Sequence, residues 1–97
     1  METRIAVIWI IVEDKSQVDR VNSLLHQYGS WIIGRMGLPY PKKQVNIISI
    51  VLDAPADAIS ALSGKLGRLP GVSSKALYTK AGEEQAEDKE KTGGERK

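Results

Sequence analysis

The spacing of hydrophobic and polar positions predicts a strand followed by a helix at the start of the chain. Residues 3–13 are almost all Ile, Val, Ala and Trp, which is typical of a β-strand buried on both faces. Helical spacing of apolar residues then follows, at Val18, Val21, Leu24, Leu25 and Tyr28. Asp14 and Ser16 offer N-cap side chains, and Asp19 forms a capping-box pattern with Ser16. Gly29 is a natural residue to end this helix.

Two strands, a helix and a final strand follow. Residues 31–38 predict a strand weakened by two glycines, and a turn at 39–43 separates it from an apolar strand at 45–53. Pro55 marks the first turn of a second helix, which ends at Gly67. Its apolar stripe is Ile59, Leu62 and Leu66. A turn at Pro70 and Gly71 leads to a last strand at 72–78.

The order β-α-β-β-α-β predicts an α+β fold, a ferredoxin-like sandwich in which two helices cover one face of an antiparallel sheet. Strands one and three would lie at its centre, in agreement with their apolar composition. The other face would then expose several Ile and Val side chains together with Trp9. Because a contiguous apolar patch usually marks an interface, we expect a homo-oligomer, a dimer or tetramer, that assembles through this uncovered face.

The end of the chain has a different composition. Residues 80–97 are rich in Glu, Lys and Gly and contain no large apolar side chain, so they cannot bury enough surface to offset the entropy of ordering. We therefore expect one folded domain, residues 1–79, and a charged, disordered C-terminal tail, residues 80–97.

Composition and charge exclude several classes of protein. The 97 residues include no cysteine and a single histidine, His26, so we expect no metal site, no cofactor and no thiol catalysis. Residues 1–78 carry nine basic and six acidic side chains without a dense basic stripe, so direct DNA binding is not expected. The apolar run Ile5–Val12 is too short to span a bilayer. We expect a cytoplasmic protein without membrane association.

The end of the second helix holds the main candidate for ligand contacts. Its Gly-Lys-Leu-Gly run, residues 64–67, precedes a turn into a strand, whereas the GxxG loop of a KH domain joins two helices. Two interpretations stay open. The run is either a glycine-rich helix end with two solvated cations, or an effector or anion contact. The second interpretation assigns the contact to Ser63, Gly64, Lys65, Gly67 and Arg68.

Three further residues are candidates for effector binding. Glu13 and Asp14 lie between the first strand and the first helix, where two carboxylates either complement the helix dipole or accept an ammonium group or hard cation. Arg35, on an edge strand, either reaches over a ligand or prevents edge-to-edge pairing. No Ser, His and Asp residues are spaced as a catalytic set, so we assign no catalytic residue and expect no enzyme.

Several stretches carry a resemblance to a known family: residues 4–14, 21–26, 34–40 and 59–67, followed by Pro70-Gly71-Val72. The most specific is Leu-Ser-Gly-Lys-Leu-Gly at 62–67. The chain resembles the small iron-only hydrogenase system regulators, which are similar to ACT domains and to the C-terminal domain of nickel-responsive regulators. The resemblance implies an ACT-like, ferredoxin-like and oligomeric domain.

The chain departs from these relatives in its binding chemistry. Nickel regulators bind metal through several His and a Cys, and amino-acid-binding ACT domains favour a Gly-bearing loop where this chain has Glu13 and Asp14. The resemblance therefore implies a stand-alone regulatory domain that oligomerises and binds a small effector or a protein partner. The alternative is a weak nucleic-acid-binding protein that acts through Lys65, Arg68, Lys42 and Lys43.

Overall fold

Four strands and two α-helices form the fold, and the computed structural model of the chain describes residues 2–79. The elements are β1 (Arg4–Val12), α1 (Val18–Gln27), β2 (Ile32–Tyr40), β3 (Val45–Ala54), α2 (Ala56–Gly67) and β4 (Val72–Tyr78). Short 3-10 turns lie at Lys15–Gln17, Gly29–Trp31 and Pro41–Lys43. The tail predicted at residues 80–97 lies outside the described residues, and the boundary at residue 79 stays a prediction.

The strands form one antiparallel sheet in the order β2-β3-β1-β4. This order confirms the predicted α+β, ferredoxin-like class, with the apolar strands β1 and β3 at the centre. Trp9 marks the middle of the sheet, where it is paired with Ser49 of β3 on one side and Lys75 of β4 on the other. None of the helices within residues 2–79 is long and apolar enough to cross a membrane.

The core lies between the sheet and the two helices. Alternate residues of β1 and β3 point into it, because side chains of a strand alternate between the two faces. The buried apolar set is Ala6, Ile8, Ile10, Val12, Val21, Leu25, Ile48, Ile50, Leu52, Ala54, Ile59, Leu62, Leu66 and Val72. Burying one of its Ile or Leu side chains contributes about 1.5–3 kcal/mol.

The other alternate residues form the outer face of the sheet, which is covered by neither α1 nor α2. Seven large apolar side chains on this face are between 41% and 72% exposed. They are Ile5, Trp9 and Ile11 of β1, Met36, Leu38 and Tyr40 of β2, and Leu77 of β4. Within residues 2–79, the predicted apolar face is therefore exposed.

The start of α1 differs from its prediction. The capping box expected from Ser16 and Asp19 is wrong, because Asp14 is the capping residue and its carboxylate accepts hydrogen bonds from the backbone N–H and hydroxyl of Ser16. These bonds begin a 3-10 turn that leads into α1.

Gly29 follows the C-cap of α1 but starts another 3-10 turn. Within residues 2–79, the glycine with a left-handed backbone is Gly71, at φ 68°.

Candidate functional site

A cleft of about 540 Å³ lies between α1 and the end of α2. Three cationic side chains line it: Arg20 of α1, Lys65 of α2, and Arg68, the C-cap of α2. Its apolar part comes from Leu24 and Leu69, both half-buried and packed against the core. The remaining lining residues are Asp19, Ser23 and Gln27. The cleft therefore combines a surplus of positive charge with an apolar surface.

The topology explains why these residues meet. β1 and β3 are antiparallel, and each is followed by a helix on the same face of the sheet, so α1 and α2 also run in opposite directions. The first turn of α1, with Asp19 and Arg20, therefore lies beside the last turn of α2. Residues far apart in the sequence are brought together at one place on the helix layer.

Lys65 of α2 contacts Tyr28, an aromatic residue at the C-terminal end of α1. Its Nζ donates a hydrogen bond to the hydroxyl of Tyr28 at 3.0 Å and lies 5.4 Å from the centre of the Tyr28 ring. The Tyr28 ring in turn lies 6.1 Å from that of Trp31. These contacts place the ammonium group of Lys65 beside the Tyr28 ring.

The other candidates from the same helix end have structural contacts instead. The hydroxyl of Ser74 on β4 donates to the carbonyl oxygen of Ser63 at 2.8 Å, which ties β4 to α2. A Cβ built on Gly64 or Gly67 would make ordinary contacts, at 3.6 Å from Arg68 and 3.5 Å from Ser74 respectively. Of the residues predicted at this helix end, the two cations line the cleft, whereas Ser63, Gly64 and Gly67 are not among its lining residues.

Glu13 and Asp14 lie in the turn between β1 and α1, and neither lines the cleft. The carboxylate of Asp14 accepts from the hydroxyl of Ser16 at 2.7 Å and from its backbone N–H at 3.0 Å. These two bonds hold the pKa of the Asp14 carboxyl below its ordinary value of 3.8. Glu13 is exposed, and its backbone N–H donates to the carbonyl oxygen of Gly71 at 2.7 Å. Asp14 therefore acts as a cap in this turn.

Arg35 lies at a third place. Its Nη2 donates to the side-chain oxygen of Asn22 at 2.6 Å, so it links β2 to α1. Both residues line a second cleft of about 260 Å³ beside Pro39 and Ile48. The predicted site residues are thus divided among the β1–α1 turn, the edge strand β2 and the end of α2. Within residues 2–79, no three His, Cys, Asp or Glu side chains form a group that could hold a metal ion.

The four cations of the nucleic-acid alternative do not share one cleft. Lys42 and Lys43 form the 3-10 turn between β2 and β3, whereas Lys65 and Arg68 line the cleft at the end of α2. Both regions lie at the same end of the sheet, where β1 ends and β4 begins. The intervening strand β1 separates the β2–β3 turn from the start of β4.

A match to a family model decides the family of this chain. The TM1266-like model, described as "Iron-only hydrogenase system regulator, putative", matches residues 4–76. The chain belongs to this family. Membership in the TM1266-like family confirms the resemblance seen in the sequence.

Two solved structures are similar to this TM1266-like chain. The uncharacterized protein TM1266 from Thermotoga maritima is 41% identical, with a TM-score of 0.77 over 81% of this chain and 100% of that one. The C-terminal domain of the MgtC protein from Mycobacterium tuberculosis has a TM-score of 0.60 at 17% identity, over 88% of this chain and 95% of that one. The second likeness concerns the fold alone. A comparison with curated proteins gives no match.

Sequence reasoning missed most of the cleft. Arg20 and Leu24 are four residues apart and therefore on the same side of α1, a spacing that was available as a signal. Leu69 lies after the last helical residue, and no local pattern marks it as part of a site. The contact between Lys65 and Tyr28 joins residues 37 positions apart and has no local signature.

Proposed function

We propose that this chain is an ACT-like regulatory domain of the iron-only hydrogenase system, that it works as a homo-oligomer, and that it responds to a small effector or a protein partner. The family description supports the regulatory role. The self-association is supported by a single observation, the apolar outer face of the sheet. The assembly is a dimer or tetramer in which that face is covered.

Apolar side chains lie on all four strands of the outer face, and Ser49 and Lys75 interrupt the central row. One row runs from Leu38 through Ile47 to Ile11, and the row beside Trp9 includes Met36. Val51, Val7 and Leu77 form a further row. Isolated soluble domains rarely expose a patch of this kind, because the hydration of apolar surface is unfavourable in free energy.

A second copy of the chain is the occupant that this face suits best. In a two-fold interface the same patch lies on both subunits, so an apolar patch meets an apolar patch. Two charged side chains lie on the face itself, because Lys75 of β4 is paired with Trp9 and Asp53 of β3 is paired with Ile5. A domain of this size also has a small core, so burial of a second apolar surface would add substantially to its stability.

Light scattering on the full chain during size-exclusion chromatography tests the proposal. We expect the wild type to have two or four times the chain mass of 10.6 kDa at tens of micromolar protein. Trp9→Lys places a charge at the centre of the face and should give the monomer mass. Ala61→Lys adds the same charge on the exposed side of α2 and should leave the oligomer intact.

A monomeric wild type under these conditions would overturn the self-association. A Trp9→Lys variant that keeps the wild-type mass would overturn it as well, because a second ammonium group next to Lys75, buried without a partner on the central strand β1, is strongly unfavourable in free energy. Circular dichroism of both variants checks that they remain folded, so a loss of mass is assigned to the interface.

A further inference from the structure

We infer that the cleft between α1 and α2 binds a small organic anion. The carboxylate or phosphate group of this anion would lie among Arg20, Lys65 and Arg68. The apolar part of the anion would lie on Leu24 and Leu69. The inference rests on the proposed regulatory function, because it gives the effector a place and a chemical class. That class is a compact molecule that carries one anionic group next to an apolar group.

The placement of Arg20 is the first argument. Lys65 and Arg68 lie at the C-terminal end of α2, where the helix dipole favours cations whether or not a ligand binds. Arg20 lies in the first turn of α1, where the same dipole disfavours a cation. Helix stability therefore accounts for the pair on α2 and leaves Arg20 unexplained.

The balance of charge is the second argument. Three cationic side chains line the cleft, and Asp19 is the single acidic side chain among its lining residues in the described chain. Mutual repulsion between the cations is relieved when an anion binds among them. Guanidinium groups present paired donors that match the oxygens of carboxylate and phosphate, and two of the three cations are arginines.

Shape and preorganisation are the third argument. A volume of about 540 Å³ fits a small molecule. The hydrogen bond from Lys65 to Tyr28 holds one cation before any ligand arrives, which lowers the entropy lost on binding. Leu24 and Leu69 are anchored on the core and offer a fixed apolar surface. Inorganic phosphate has no apolar part and therefore would not contact Leu24 and Leu69.

The nucleic-acid alternative makes a different demand on the chain. A nucleic-acid backbone would engage Lys42 and Lys43 together with Lys65 and Arg68, because its charges repeat along its length. The small-anion proposal uses the cleft residues alone, and the β2–β3 turn is not part of the cleft lining. Variants of the two cation pairs therefore separate the hypotheses.

A titration of the full, ¹⁵N-labelled chain with phenyl phosphate, followed by NMR, tests the inference. Benzoate carries a carboxylate in place of the phosphate group. Inorganic phosphate keeps only the anionic part of the probe, and benzyl alcohol keeps only its aromatic part. We expect saturable shifts at the amides of Ser23, Leu24 and Leu69, with a Kd on the order of 1 mM or below for phenyl phosphate or benzoate. Inorganic phosphate and benzyl alcohol should bind more weakly.

The double variant Arg20→Gln/Arg68→Gln should weaken binding of the better probe by about tenfold or more, because it removes charge-assisted hydrogen bonds. The matched control Lys42→Gln/Lys43→Gln removes the same charge from the β2–β3 turn and should bind as the wild type does. Any one of three results would overturn the inference. They are equal weakening of binding in both double variants, an undiminished affinity in the cleft variant, and amide shifts confined to the sheet face.

The oligomer mass, measured on the same samples, keeps the two proposals apart. A monomer that still binds phenyl phosphate in the cleft would overturn the self-association and support the cleft. An oligomer without saturable shifts from either aromatic anion would overturn the cleft and support the self-association.

Discussion

Gly71 lies directly against Asp14. A Cβ built on Gly71 would be 3.2 Å from the backbone nitrogen of Asp14 and only 2.6 Å from its Cβ, and the second distance is closer than side chains can approach. The backbone of Gly71 is also left-handed, at φ 68°, and its carbonyl oxygen accepts a hydrogen bond from Glu13 at 2.7 Å. A hydrogen bond and a close packing contact at Gly71 therefore join the start of β4 to the end of β1.

Replacing this glycine should be costly. Gly71→Ala combines an unfavourable φ with a clash against Asp14, and we expect a loss of about 2 kcal/mol or more in the free energy of unfolding. Gly29→Ala is the matched control, because its Cβ would meet nothing within 4 Å and its φ is not positive. Urea unfolding at one protein concentration compares the two, and equal stabilities would contradict the role assigned to Gly71.

The cap at Asp14 should be visible in its titration. Ser16→Ala removes the hydroxyl bond, the largest cause of the lowered pKa, and keeps the bond from the backbone N–H. We expect the Asp14 pKa to lie below 3.8 in the wild type and to rise toward 3.8 in the variant. NMR of the side-chain carboxyl carbon measures both values. An unchanged pKa in Ser16→Ala would show that the hydroxyl does not stabilise the carboxylate.

The same carboxylate should make stability depend on pH in the acid range. Because the folded pKa is lowered, the contribution of Asp14 is present above 3.8 and is lost as pH falls through the lower, folded value. Asp14→Asn removes this titration and should flatten the wild-type decline in that window. Urea midpoints compared between pH 7 and pH 3 test this, and parallel curves for the two proteins would exclude Asp14 as the source.

The hydrogen bond between Ser74 and Ser63 should stabilise the packing of β4 on α2. Ser74→Ala leaves the Ser63 carbonyl without this donor, and we expect a loss of about 1 kcal/mol. Ser73→Ala is the matched control on the exposed, outer face of the same strand, and it should change stability little. A larger loss in Ser73→Ala than in Ser74→Ala would contradict this assignment.

Nucleic-acid binding can be tested with the same cation variants. We expect the full chain to pass through a DNA column even at low salt, because the four cations of the nucleic-acid alternative are divided between the cleft and the β2–β3 turn. Retention that falls steeply with salt, and that is lost in Lys42→Gln/Lys43→Gln, would instead support the nucleic-acid alternative. The Lys15→Gln variant, which changes an exposed cation outside the cleft, the β2–β3 turn and the outer face, serves as the control.

The fold could be predicted because its signals are local. The apolar runs of β1 and β3, the helical spacing around Leu25 and Leu62, and the turn glycine Gly71 each specify an element without knowledge of the others. Their order then leaves the ferredoxin-like plan as the natural solution. The family resemblance reached the same fold through separate evidence.

The cleft could not be predicted because its signals are distant. Arg20 and Arg68 line the same cleft because of the antiparallel packing of two helices, which depends on the whole sheet. Asp14 and Ser16 are both residue types that cap helices. Which of them caps the helix start depends on a turn that packs against Gly71, a residue far along the sequence. Local patterns therefore specify the elements but not the contacts between them.

The uniform apolar character of β1 has a consequence for strand alignment. In most half-buried strands, a shift by one residue would turn polar groups into the core, and this penalty fixes the pairing. Between Ile5 and Val12 every side chain is apolar, so a shifted β1 would still present apolar groups to both faces. Correct alignment then depends on side-chain size, since Trp9 is larger than the Ala, Ile and Val side chains that β1 buries in the core, and on the hydrogen bond from Glu13 to Gly71. The size of one central side chain and a contact at the end of the strand therefore keep the sheet in register.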